Sequence, residues 1–378
     1  MNNVENTICP ADDHRAPAAA PPTSRADIYY WKCDSPLPVE EKLVYNRKYK
    51  VADILPLVEQ IGRDFFRTNE VQVRSAGGEG NHYTYVIEAG GRQVFFRADD
   101  GKIADDYMVA EGAAMHLAQS HGVRVPEVYD CDVSLDRYPV RFQIMELLGG
   151  RSLNTFHRRQ TLDKQAIGAE LGTMLGRLHG IRMDGFGFFD TRVLRDTGRV
   201  CGLDESNRAY FCKRLDDHLR QLRESGFLTA PQVADIEQVL DRHMHLLDIP
   251  KGSLLHKDMA LWNIMGTENR VEAIIDWDDT IIGDPADDLG VLRCFYGDDI
   301  LGPVWRAYAE IHPVDDAFRL RTSLYLVRNM LWKAVIRTFM KYFEMDGDFF
   351  LADGGGGRSL RETTYERLFL GVEELKRG

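Results

Sequence analysis

Between Leu254 and Leu289 the chain reads LLHKDMALWNIM, then VEAIIDWDD, then GDPADDL. No other stretch limits so sharply what the chain can fold into. Asp258 is followed five residues later by Asn263, and a second aspartate, Asp276, closes an apolar run. Val271 to Ile275 is short, mostly apolar and rich in β-branched residues, so it reads as a buried strand. Asp276 then stands on a rigid element at the edge of a cleft. Singly, these signals are weak. A lone D-x-x-x-x-N is common, and an aspartate after a strand is often only a turn residue. The ordered set H-x-D-x-x-x-x-N, I-D-W and G-D-P-x-x-D-L within one window outweighs those readings.

Oxygen-bearing side chains at this spacing suit transfer of a γ-phosphoryl group to an alcohol. That reaction needs a positioned hydroxyl, one or two Mg²⁺ ions and compensation of phosphate charge, with little covalent help. Magnesium prefers hard oxygen ligands, which Asn263 and Asp276 supply. Asp258 can accept a hydrogen bond from the incoming hydroxyl and align it.

The window resembles the core of the aminoglycoside phosphotransferase family, small-molecule kinases related to protein kinases. The family pattern is L-x-H-G-D-x-x-x-x-N, a strand ending in I-D-W, then G-D-P-x-x-D-L. The resemblance implies Asp258 as the catalytic aspartate and Asn263 and Asp276 as Mg²⁺ ligands. It makes His256 a loop brace and gives Asp284 and Asp288 anchoring roles. Lys257 stands where the family usually has Gly. It reads as a solvated side chain or a charge near the phosphates, the first slightly preferred.

Upstream, Val71–Val73 and YTYVIEAGGRQVFFRAD form strand patterns, the second turning at Gly90–Gly91 as a hairpin. Gly77, Gly78 and Gly80 make a Gly-rich turn whose N–H groups can approach phosphates. Gly78 and Asn81 match the family's G-x-x-N-x-x-Y, but Thr84 occupies the tyrosine position. The next strand supplies Arg97 as the phosphate cation in place of lysine, and arginine can fill that role. A helix over residues 103–120 offers Glu111 as its partner, although a mid-helix glutamate is more often solvent-exposed. GVRVPEVYDCD and RFQIMELLGG follow, with the hinge for the base at Glu146 to Leu148. LGTMLGRLHG is an amphipathic helix whose His179 reads as a packing or helix-terminal residue.

The resulting fold class is α+β: a protein-kinase-like two-lobe fold, with a small antiparallel-sheet N-lobe carrying one helix and a larger, mainly helical C-lobe. Residues 1–25, rich in Pro and Ala, are expected to be disordered. Residues 26–50 form an aromatic-rich extension with no counterpart in the family pattern. It could cover the N-lobe, join a dimer contact or form part of a substrate lid. Residues 51–148 form the nucleotide lobe, opened by a helix over 51–66, and residues 149–378 form the catalytic and substrate lobe. Long helices are expected over 205–225 and 230–247. Ser359 and Glu362 make a capping box for a last helix to about Leu375. The run at 353–359 lacks the G-K-[ST] ending of a P-loop and reads as a connector.

A net charge of −12 argues against nucleic acid as a partner. No run is long and apolar enough to span a membrane, and no secretory signal is apparent. The six cysteines show no disulfide or metal spacing, which fits a reducing cytoplasm. Asp278, Asp279, Asp287, Asp298 and Asp299 add acid near the motif, opposed in that window by Arg293 alone. They hint at a cationic substrate, or simply cap helices and face water.

The expected function is transfer from ATP or GTP, with Mg²⁺, to a hydroxyl of a small molecule. The first candidate acceptor is an antibiotic such as an aminoglycoside or hygromycin-like compound, in a resistance role. A metabolic alcohol of choline, amino-sugar or nucleoside type is the alternative. A non-catalytic pseudokinase is disfavoured because the catalytic set is complete. Oligomeric state is not legible.

Overall fold

The computed structural model describes residues 25–35, 54–77, 82–99, 105, 107–345 and 358–378. Gly78, Gly80, Asn81 and the 353–357 part of the Gly-rich connector lie outside the described residues.

The N-lobe is built on a five-stranded antiparallel sheet of β1 (Gln72–Ser75), β2 (Tyr83–Ala89), β3 (Arg92–Asp99), β4 (Val128–Asp132) and β5 (Arg141–Glu146). Its spatial order is β1-β2-β3-β5-β4. The β2–β3 hairpin turns at Gly90 and Gly91, both at positive φ (57° and 78°), which a two-residue turn of this hand requires. Period-two alternation then divides the side chains of β3. Val94, Phe96 and Ala98 enter a core with Val58, Ile61, Phe142 and Ile144. Arg97 lies on the opposite face, in register with Thr84 and Gln143.

Two helices serve this lobe, within the ranges 51–66 and 103–120 that the sequence reading gave. Leu55–Phe66 packs Val58 and Ile61 on the sheet, with Pro56 in its first turn, where the missing N–H costs nothing. Tyr107–Ser120 lies against the other face, burying Met108, Ala110, Ala114, Met115 and Ala118. The parts of these two predicted helices at 51–53, 103–104 and 106 are outside the described residues.

The C-lobe is mainly helical, but it also carries two small sheets of which only the Val271–Ile275 strand was foreseen. Five short strands run in the order Arg182–Met183, Gly252–Leu255, Ile281–Gly283, Phe186–Phe189 and Gly202–Asp204. A second sheet joins Arg270–Ile274, Ile264–Thr267 and Arg151–Ser152. Both sheets end near the I-D-W segment. The helix Asp316–Phe339 is buried on nearly every side from Thr322 to Val335 and forms the spine of this lobe.

The single helix predicted over 205–225 is two. Asn207–Cys212 and Leu215–Glu224 are separated by Lys213 in an extended conformation and Arg214 at φ 57°. The buried guanidinium of Arg328 accounts for the break. It donates to the carbonyls of Phe211 (2.8 Å) and Lys213 (2.6 Å), which a continuous helix would keep for itself. The last helix, Leu360–Arg377, starts at the expected Ser359–Glu362 capping box.

Residues 1–24 lie outside the described set, and Arg25 is 3% exposed and ion-paired to Asp105. Residues 25–35, including the short helix Trp31–Asp34, pack on the C-lobe, with Tyr29, Tyr30 and Trp31 inside its core. Residues 36–50 lie outside the described set.

Candidate active site

Gly252–Leu255 delivers the chain into the loop carrying His256, Lys257 and Asp258. The loop is held from several sides. The His256 ring packs edge-on against Trp277, and its Nε2 donates to the Ile275 carbonyl at 2.9 Å. Nδ1 accepts from the Asp258 N–H at 3.3 Å, which assigns the ring proton to Nε2. Asp288 accepts from the backbone N–H groups of His256 (3.0 Å) and Lys257 (2.7 Å) and from His179 (3.2 Å). Asp284 accepts from the Ala286 N–H at 3.0 Å, just ahead of the helix Ala286–Arg293, and pairs with Arg321 at 2.7 Å. His256 and Asp288 contact the loop directly, and His179 reaches it through Asp288.

Asn263, in a short 3-10 turn, donates its side-chain amide to the Asp258 carbonyl (2.9 Å) and carboxylate (3.0 Å). The Asn263 amide oxygen is then the atom available to a cation. Asp276 follows the strand Arg270–Ile274 with φ at 65°. A non-glycine residue in the left-handed region carries strain that the surroundings must hold in place. The neighbouring Trp277 N–H supplies such a hold by donating to Glu111 Oε1 at 3.0 Å. Glu111 in turn ion-pairs with Arg97, whose Nε donates to Gln143 at 3.0 Å. Arg97 and Glu111 are 6% and 1% exposed, so the glutamate is not the solvent-facing residue that its helix position favoured. One chain of contacts therefore runs from β5 through Arg97 and Glu111 to the backbone beside Asp276.

The expected hinge residues close the N-lobe. Glu146 ends β5, and its carboxylate accepts from the Glu127 N–H at 3.3 Å. Leu148 lies in the connection beyond it, where Gly149 and Gly150 donate their N–H groups to Glu272. Gly78 and Asn81 fall outside the described residues. Gly77 beside them has φ 70° and open space around it.

Carboxylates crowd the Asp276 side of the cleft. Burial, then the charge of Asp278, pushes the Asp276 carboxyl up to about 7. The same two causes push Asp279 up to about 8. Burial also opposes ionisation of Asp278, but Lys32, His82, Arg25 and Arg97 hold it below the usual range. Crowded carboxylates beside an amide oxygen are a hard, anionic donor set that suits Mg²⁺. A second cluster, Cys33, Asp34 and His218, brings one ligand atom of each within 4.8 Å of the others. There, the imidazole of His218 lies between Asp34 (2.8 Å) and the Arg328 guanidinium (3.0 Å), and Cys33 donates to the Trp332 carbonyl. That cluster is a bonded support for the N-terminal segment.

Lys257 is neither solvated nor beside open space. Its ammonium is buried against Asp287 (2.5 Å), Tyr29 (2.9 Å) and Asn329 (3.4 Å), and its φ is 70°. The positive φ gives a physical reason for glycine to suit this position. The acidic surface suggested by the sequence also disperses. Asp287 is consumed by Lys257, Asp298 and Asp299 lie in the first turn of a helix, and Asp299 pairs with Lys164. Arg293, expected to oppose the acids, reaches Glu374 instead.

Sequence reasoning missed two lysines. Lys333, on the long helix, is 3.9 Å from Asp258 and is buried. Burial lowers its pKa to about 8, against the pull of Asp258. Against burial, the charges of Asp258, Asp279, Asp278 and Asp276 raise the pKa of Lys32, in the N-terminal segment. Neither lies in a motif window, and no local pattern marks either one.

A family model, the phosphotransferase enzyme family, matches residues 72–320. The chain belongs to that family. Viomycin phosphotransferase from Streptomyces vinaceus is 33% identical over 98 residues, 24% of this chain. Those residues are 34% of that relative, so the chain spans about a third of its length. A thermostable mutant of aminoglycoside phosphotransferase APH(4)-Ia, in ternary complex with ADP and hygromycin B, has a similar structure. The TM-score is 0.57 at 17% identity, covering 84% of this chain and 98% of that one. A candidate fructosamine-3-kinase from Haemophilus somnus 129PT gives 0.57 at 15% identity, over 84% of this chain and 96% of that one. At these identities the likeness to solved structures speaks for the two-lobe fold of this phosphotransferase family.

Proposed function

We propose that the chain moves the γ-phosphoryl group of ATP or GTP, with Mg²⁺, to a hydroxyl of a small molecule. The observation that carries this reading is the contact chain Arg97–Glu111–Trp277 N–H, which ties the N-lobe to Asp276 beside the Asp258–Asn263 pair. Asp258 accepts the hydrogen bond, and then the proton, of the acceptor hydroxyl. The hydroxyl oxygen forms its bond to the γ-phosphorus as the bond to the β-bridging oxygen breaks. The nucleoside diphosphate leaves with that electron pair. Asn263 and Asp276 would hold Mg²⁺, which supplies charge compensation to the phosphates. Arg97, fixed by Glu111 and Gln143, would meet the α- and β-phosphates, with Gly78 and Asn81 in the covering loop. The base would lie against backbone from Glu146 to Leu148.

For the acceptor we infer an antibiotic alcohol of aminoglycoside or hygromycin-like type, as in a resistance enzyme. The viomycin relative and the hygromycin B complex support it. A metabolic alcohol is the second reading. It is favoured by the loss of Asp287, Asp298 and Asp299 to pairs and a helix end, and by Lys333 beside Asp258. Cys131, Cys201, Cys212 and Cys294 are thiols, which supports the reducing cytoplasm we infer.

A panel assay separates these readings. Nucleotide consumption is followed with ATP and GTP against hygromycin B, viomycin, other aminoglycosides, choline, amino sugars and nucleosides. Turnover is expected with at least one antibiotic. Turnover confined to choline, sugars or nucleosides would replace the antibiotic reading, and an absence of nucleotide binding would overturn the kinase reading.

A further inference from the structure

The chain turns just after Asp276, where the Thr280 N–H donates to the Trp277 carbonyl at 3.1 Å. Three side chains hold this turn by its backbone. Glu111 accepts from the Trp277 N–H at 3.0 Å. The Tyr107 hydroxyl donates to the Thr280 carbonyl. Tyr107 and Glu111 are four residues apart on one helix, so they share a face and meet the turn together. The third side chain comes from elsewhere. Arg25 Nη1 donates to the Asp278 carbonyl at 2.6 Å. Arg25 belongs to residues 25–35, which precede the region matched by the family model.

The Arg25 guanidinium is itself fixed. Its Nε and Nη2 fork onto the Asp105 carboxylate at 3.2 and 2.7 Å, and it lies 3.8 Å over the Tyr107 ring. Trp31 and Phe188 flank it at 4.7 and 5.0 Å. With Arg25 3% exposed, water competes little for the donor aimed at the turn. The N-terminal segment has other tethers. The Tyr29 hydroxyl takes a hydrogen bond from Lys257 at 2.9 Å, and its carbonyl takes one from Tyr210 at 2.8 Å. Tyr30 stacks on Trp332, and Asp34 pairs with His218 at 2.8 Å. What the Arg25 bond adds is a hold on the turn.

We propose that Arg25 is a positioning residue, supplied by the N-terminal extension, that holds the turn after Asp276 in the shape that receives Mg²⁺. This inference rests on the kinase reading above. Asp276 sits at φ 65°, a strained conformation that its surroundings must keep. Glu111 takes the N–H of the next residue and Arg25 the carbonyl of the one after. The first and third peptide groups beyond Asp276 are thereby pinned, which limits how the strained backbone can relax. Partners that orient a metal ligand contribute about 10- to 100-fold to metal affinity. Arg25 acts in this way through the backbone and touches neither nucleotide nor acceptor.

Calorimetric titration of the full chain tests the inference without an acceptor. Wild type, Arg25→Met and Arg25→Met/Asp105→Asn are each titrated with ADP or GDP over a range of Mg²⁺ concentrations, and again in EDTA. The double variant leaves no stranded carboxylate at Asp105, so it carries the test if Arg25→Met folds poorly. Both variants are expected to need at least about tenfold more Mg²⁺ for half-maximal nucleotide affinity, and to bind nucleotide in EDTA as wild type does. An Arg25 that only supports the fold would lower the thermal midpoint and leave the Mg²⁺ requirement in place. An unchanged Mg²⁺ requirement, an equal loss with and without metal, or failure of both variants to fold would each overturn the proposal. A wild type whose nucleotide affinity ignores Mg²⁺ would overturn it too. A wild type that binds no nucleotide would instead defeat the kinase reading, and this inference with it.

Discussion

At the residue scale, the site holds crowded carboxylates around Asp276 and several buried ion pairs. Lys257 and Asp287 are the clearest pair, with both side chains at most 1% exposed. Removing one partner of a buried pair costs about 3–5 kcal/mol, because the other charge is stranded. Lys257→Gly also relieves a left-handed backbone, which returns about 1–2 kcal/mol. A net loss of about 2 kcal/mol is therefore expected in urea unfolding. Adding Asp287→Asn should recover much of it, by removing the stranded charge. A Lys257→Gly variant as stable as wild type would contradict the pairing.

Lys333 makes a second residue-scale prediction. Its pKa of about 8 lies below the ordinary lysine value because burial disfavours the cation. The ammonium beside Asp258 is therefore present below pH 8 and is lost as pH rises through that value. On the identified acceptor, kcat/KM should fall along a basic limb near pH 8, since that ratio reports the free enzyme. Lys333→Arg should move the limb upward, because arginine keeps its charge. A limb that stays in place in Lys333→Arg would remove Lys333 from the account.

At the element scale, the lobes are assembled from close approaches that the sequence reveals unevenly. The helix Lys164–His179 presents Gly168, Gly172 and Gly176 to the helix Asp298–Ala309 and the residues after it. A Cβ on Gly172 would lie 2.3 Å from the Val304 carbonyl oxygen and 3.0 Å from the Tyr308 nitrogen. Backbone cannot yield as a side-chain tip does. Gly172→Ala should therefore lower stability by about 1–3 kcal/mol, the usual cost of overpacking, with a matching fall in thermal midpoint. An unchanged midpoint would mean that the helices stand further apart.

The elements legible in the sequence were those specified by local chemistry. Gly90–Gly91 marks its hairpin, Ser359–Glu362 marks a helix start, and β-branched residues mark the strand before Asp276. Arg97 was legible because strand alternation fixes its face. Other features depend on distant groups. The helix break at Lys213–Arg214 is imposed by Arg328, more than a hundred residues away. The burial of Glu111 is set by Arg97 and the Trp277 N–H, so no helical periodicity could disclose it. Lys333 reaches Asp258 only through tertiary packing. The burial of Lys257 did leave a trace, a lysine where the family pattern has glycine.

At the scale of the whole molecule, the two lobes meet through the Arg97–Glu111–Trp277 contact, and the N-terminal segment reaches the Asp278 carbonyl through Arg25. Among the described residues, no helix is long and apolar enough to cross a membrane. Of the acids that suggested a cationic substrate, Asp287 is paired with Lys257 and Asp299 with Lys164, while Asp278 and Asp279 remain beside Asp276. The central claim is that Asp258 aligns and deprotonates the acceptor hydroxyl for phosphoryl transfer. Its most direct test compares wild type with Asp258→Asn in transfer of labelled γ-phosphate from ATP or GTP to the acceptor found in the panel. Asp258→Asn should bind nucleotide as wild type does and transfer at least about 100-fold more slowly, the low end for loss of a positioned base. Transfer by Asp258→Asn at a rate close to wild type would contradict the account.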